Sequence, residues 1–98
     1  MESKSDSSIL QQAIEAFNYP EEMGESVDDS VETLNELLKE LPKSSELFGA
    51  IKWMINELYK SYEVAAGSGS LYSLLRISDS GSLEGYIHRK KKWGQINA

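Results

Sequence analysis

Apolar residues recur at helical spacing through the first two thirds of the chain and then switch to alternation. Ile9, Leu10, Ala13, Ile14 and Phe17 follow the i, i+1, i+4, i+5, i+8 pattern of one buried helical face. Ser7 or Ser8 can cap that helix, and Pro20 is expected to stop it, because the residue before a proline is pushed away from the α region. Residues 1–7 are polar and serine-rich, which predicts a disordered leader. A second helix is expected from Ser26 to about Leu41, opened by a capping box of Ser26 with Asp29 and closed by Pro42. Its Val27, Val31, Leu34, Leu38 and Leu41 form an a/d seam that Leu37 widens.

A third helix follows the Lys43-Ser44-Ser45 turn, with either serine as cap and Glu46 near the positive end of the dipole. Leu47, Ile51, Met54, Leu58, Tyr62 and Ala65 make its main face, Phe48, Ile55 and Tyr59 broaden it, and Gly67 supplies a left-handed terminator. Lys52, Asn56, Glu57, Lys60 and Glu63 interrupt this apolar segment.

Beyond the Gly67-Ser68-Gly69-Ser70 connection, Asp79-Ser80-Gly81 has the composition of a three-residue hairpin loop. With Ser78 facing Ser82, Ile77 meets Leu83, Arg76 meets Glu84, Leu74 meets Tyr86 and Tyr72 meets His88. That register creates an opposite-charge pair and an aliphatic–aromatic pair, each contributing about 0.2–1 kcal/mol. A fourth helix is the rival, since Leu71, Leu74 and Leu75 also have helical spacing. The expected fold is therefore α+β, three helices followed by a C-terminal β-hairpin. Residues 8–89 form a single small domain and residues 90–98 a basic, flexible tail. A chain of 98 residues supports one modest core.

The order of three helices and a hairpin, with Leu41-Pro42-Lys43-Ser44-Ser45 between the second and third helices, resembles the outline of a winged-helix domain. That resemblance implies a DNA-reading role for the third helix. Its polar positions depart from the basic surface this needs, mixing Glu57 and Glu63 with Lys52 and Lys60.

Charge adds a second theme. The chain carries net charge −6, made of −9 over residues 1–41, −1 over 42–88 and +4 over 89–98. Asp28, Glu32, Glu36 and Glu40 recur every four residues, so an extended helix aligns them on one face. Like charges at this spacing each destabilise a helix by about 0.2–0.5 kcal/mol. A basic partner, the chain's own tail or packing of the opposite face can offset that cost. The tail itself, Arg89, Lys90, Lys91, Lys92 and Trp93, suits three roles: a solvated extension, a cover for the acidic stripe, or a contact to nucleic acid or another anion.

Chemistry-bearing patterns are missing. There is no cysteine, His88 is the sole imidazole, and no serine lies in a Gly-x-Ser-x-Gly elbow. The acidic residues do not follow the alternating pattern of a calcium loop, and the Gly67–Ser70 loop lacks the Lys-Ser/Thr of a phosphate-binding loop. No catalytic residue, metal or cofactor is expected. No window is apolar enough to span a membrane and no secretory signal opens the chain, which makes a cytoplasmic location the expectation. The sequence thus reads as a non-enzymatic interaction protein that regulates or inhibits a protein partner through Asp28, Glu32, Glu36 and Glu40, a stripe that a basic partner would complement, with Trp53 as an interface candidate. Self-association through surplus apolar surface on the second and third helices is expected. The alternative is a winged-helix-like nucleic-acid-binding module using the hairpin and the basic segment.

Overall fold

The computed structural model describes residues 6–62, 72–87 and 90–96. Three helices, α1 (Asp6–Met23), α2 (Asp28–Leu38) and α3 (Glu46–Tyr62), precede three strands, β1 (Tyr72–Ile77), β2 (Leu83–Ile87) and β3 (Lys92–Gln95). The strands form one antiparallel sheet in the order β1-β2-β3. The α+β expectation holds, and the segment read as a flexible tail contributes the third strand.

Ile9, Ala13, Ile14 and Phe17 are buried, the face that the spacing predicts. α1 nevertheless starts at Asp6, inside the expected leader, where an acidic side chain suits the helix N-terminus. It also runs through Pro20. Only one turn remains beyond the proline, and Gly24 closes it at φ +69° while Glu25 N–H donates to the Pro20 carbonyl at 3.2 Å. This is the six-to-one bond of a Schellman terminus. Phe17 and Asn18, anchored to the rest of the domain, hold the chain helical up to Tyr19 against the local preference set by Pro20.

The capping box expected at Ser26 does not form: the N-cap is Val27, in a helical conformation and without a side-chain cap bond. Val27 packs on the core, and that burial places the helix start one residue beyond the serine. α2 ends at Leu38, after which Glu40 and Leu41 donate to carbonyls three residues back. This tighter winding carries the chain to Pro42. Leu37, at 3% exposure, is buried more deeply than the half-buried Leu38, so the core face is centred on Val31, Leu34 and Leu37. For α3, the Ser45 hydroxyl accepts from Leu47 N–H at 3.1 Å, as a cap should. Ile51, Met54, Ile55 and Leu58 are buried, as is Glu57, whose carboxylate lies 3.0 Å from Lys60 Nζ. Ala65 and the proposed stop at Gly67 lie outside the described residues.

The hairpin register is the expected one from Ile77↔Leu83 through Leu74↔Tyr86. Gly81 adopts φ +87°, Ser78 N–H donates to Ser82 O at 2.8 Å and Gly81 N–H to Ser78 O at 2.9 Å. An irregularity between Tyr72 and Leu74 then pairs Tyr72 with Ile87 instead of His88, which lies outside the described residues. The shift brings Tyr72 to the face shared by Leu75, where its ring meets Trp53 edge-on at 5.8 Å. Gly85 makes room for it: a Cβ there would sit 2.8 Å from Tyr72 Cγ. Leu75 enters the core, and Asn18 on α1 binds it twice. The Asn18 side chain donates to Leu75 O at 2.9 Å and accepts from Leu75 N–H at 2.8 Å.

Two stability measurements check this packing. Leu34→Ala is expected to cost about 2–5 kcal/mol in urea unfolding and Leu38→Ala clearly less, because only Leu34 is fully enclosed. Equal losses would place the two leucines in equivalent surroundings. Asn18→Ala strands both backbone groups of Leu75 and is expected to cost about 1–3 kcal/mol. Hydrogen exchange at the Leu75 amide should accelerate with it, and unchanged protection would show that Asn18 does not hold this edge.

Candidate interaction surfaces

The expected site residues separate into a helical group and a sheet group. Asp28, Glu32 and Glu36 are exposed on α2. Glu40, expected to extend their stripe, lies beyond the end of α2 in the tightened turn, because the winding changes at Leu38. Residues 6–38 hold nine Asp and Glu and neither Lys nor Arg, so every charged side chain on α1, α2 and their connection is acidic.

Trp53 stands apart from that stripe. It is half-buried, stacked on Phe17 at 6.4 Å with an interplanar angle of 10° and edge-on to Tyr72. The column Phe17–Trp53–Tyr72 joins α1, α3 and β1.

At the other end of the chain, Lys90 and Lys91 form the turn into β3 and Lys92 opens the strand, all three exposed. Lys91 has φ 53°, and Lys90 N–H donates to Ile87 O at 3.1 Å. Arg89 lies outside the described residues. Trp93 is half-buried on the sheet face that carries Arg76, Glu84 and Tyr86. Arg76 bonds Glu84 at 2.9 Å and places its guanidinium carbon 4.1 Å from the centre of the Trp93 ring, while Tyr86 meets that ring at 5.5 Å. These contacts tie the segment read as a tail into the sheet, and they occupy one face of the indole. Pairing with β2 likewise commits residues 92–95 away from a role as a loose cover for α2.

A further feature was not singled out by the sequence patterns. An open groove of about 440 Å³ runs between α1 and α2, with Glu15, Ala16 and Tyr19 on one wall and Asp29, Ser30 and Thr33 on the other. Ser30 is only 3% exposed and its hydroxyl has no hydrogen-bond partner. A serine flanked by acids reads as surface; its place at i−4 from Leu34 and i−1 from Val31, within the apolar face, was the available signal.

The apolar faces of α2 and α3, expected to be in surplus, are largely covered within the single chain. Among the described residues, the large exposed apolar side chains are Tyr19, Met23, Tyr59 and Ile77, and none lies on α2. Among the described residues, no group of three or more His, Asp or Glu side chains could hold a metal ion, and no helix is long and apolar enough to cross a membrane. No protein-family model matches the chain, and no curated protein or solved structure is significantly similar to it.

An unpaired buried hydroxyl costs about 1–3 kcal/mol. Ser30→Ala is therefore expected to stabilise the protein, by about 1 kcal/mol, helped by the higher helix propensity of alanine. A thermal melt shifted downward by this substitution would mean that the hydroxyl is paired in solution.

Proposed function

We propose that this chain is a non-enzymatic interaction module whose acidic helical side docks a basic segment of a protein partner, regulating or inhibiting that partner. The observation that carries this reading is the run of nine acids without a base over residues 6–38, with Asp28, Glu32 and Glu36 exposed together on α2. Each exposed ion pair contributes only about 0–1 kcal/mol, so affinity comes from several pairs at once and falls with salt. Burial of the Val31, Leu34 and Leu37 face offsets the repulsion within the stripe in the free protein.

Titration calorimetry with hexa-arginine and hexa-lysine peptides tests the proposal. Binding is expected at low salt, weakening as sodium chloride rises. The double variant Glu32→Lys/Glu36→Lys should weaken it by roughly tenfold or more while leaving the helical circular dichroism intact. The absence of salt-dependent binding to either peptide counts against an acidic docking side.

A second reading rests on Lys90, Lys91 and Lys92, three consecutive exposed cations at the β2–β3 turn. They could neutralise phosphates of a nucleic acid. Against strong stacking stands Arg76, which already lies over Trp93. Fluorescence polarisation with a labelled single-stranded oligonucleotide separates the readings: Lys90→Glu/Lys91→Glu should abolish binding if the turn is a nucleic-acid contact, and leave hexa-arginine binding unchanged if the acidic side is the docking surface.

A further inference from the structure

We infer that the groove between α1 and α2 is a receptor for one arginine side chain of the basic partner segment. This inference rests on the acidic docking side proposed above and names the place on it where recognition is specific. Three features of the groove match the methylene stem and the guanidinium of arginine. Its wall carries Ala16, half-buried, and Tyr19, 43% exposed, an apolar strip on which a methylene stem can lie. Glu15 and Asp29 stand on opposite walls as exposed carboxylates, and among the described residues neither takes part in an ion pair. Among the described residues, no Lys or Arg lines the groove. Beside Asp29 on the α2 wall is Ser30, only 3% exposed and with a buried, unpartnered hydroxyl.

Arginine satisfies this set better than lysine. A guanidinium is planar and carries five N–H donors, enough for two carboxylates and a hydroxyl together, and its face stacks on an aromatic ring such as Tyr19. An ammonium is compact, strongly hydrated and lacks a stacking face. Ser30 then acquires a double sign. Its hydroxyl is unfavourable in the free chain, where nothing pairs with it, and favourable in the complex, where a guanidinium N–H donates to it. A mere packing imperfection has only the first of these effects.

The test uses the full chain with hexa-arginine and hexa-lysine as probes. Tyr19→Ala and Ser30→Ala are each expected to weaken hexa-arginine binding by roughly threefold to tenfold, with a smaller loss for hexa-lysine. Ser30→Ala should do so while raising the melting temperature, a combination that damage to the fold cannot produce. If both variants bind hexa-arginine as the parent chain does while Glu32→Lys/Glu36→Lys loses both peptides, the groove is not the receptor and the acidic side still is. Equal losses for the two peptides overturn the assignment to arginine. If the parent chain binds neither peptide, the docking side and the groove receptor both fall.

Discussion

The two hydrogen bonds between the Asn18 amide and the backbone of Leu75 are the constraint through which the sheet becomes part of the domain. A sheet this small depends on a buried apolar face or on packing against a helix for its stability. Asn18 supplies the fit by imitating a neighbouring strand: its amide presents one donor and one acceptor, as a peptide group does, to the side of β1 turned away from β2. Leu75 is thereby held at 2% exposure against α1, and the edge of β1 is closed at its centre. Because Asn18 follows Phe17 directly, the same turn of α1 fixes the backbone of β1 and one end of the Phe17–Trp53–Tyr72 column.

From that anchor the two faces of the sheet diverge. Toward the helices, Gly85 and Gly94 sit opposite each other, and their missing side chains admit Tyr72, Ile87 and Ile96. On the far face no helix is available, so the side chains cover one another: Glu84 holds Arg76, Arg76 lies on Trp93, and Trp93 meets Tyr86. A short edge strand bearing Lys92, with its neighbour Lys91 in a left-handed turn, ends the sheet in a way that discourages further pairing.

The parts of this architecture legible in the sequence are those governed by local rules. Helical periodicity located all three helices, and the Asp79-Ser80-Gly81 loop set a register that Arg76 and Glu84 confirm by pairing. The misreadings occur where distant contacts override a local preference. Pro20 locally favours a stop, yet anchored neighbours carry α1 past it. Ser26 has the chemistry of a cap, yet burial of Val27 moves the helix start. The basic segment has the composition of a tail, and only the cross-strand partners of Trp93 make it a strand. Neither the bond from Asn18 to a residue 57 positions away nor the burial of Ser30 has any signature in spacing alone. Of the candidate site, the exposure of Asp28, Glu32 and Glu36 was legible because helical period dictates it, whereas the groove beside them depends on how α1 meets α2.

The acidic side carries features that work against the stability of the free chain. Asp28, Glu32 and Glu36 repel along α2, Val27 leaves the helix start without a side-chain cap, and Ser30 takes an unpaired hydroxyl into the apolar face. These conflicts fall on one short helix, whereas α3 has its serine cap and its buried carboxylate is paired with Lys60. Chains otherwise consistent across levels tend to break local rules where a site is maintained for another purpose. Leu34 and Leu37 supply enough burial to hold α2 in place despite them. Under the proposed function, cations along the stripe would relieve the repulsion and one in the adjoining groove would pair the hydroxyl, so the proposal places the largest change in free energy on α2.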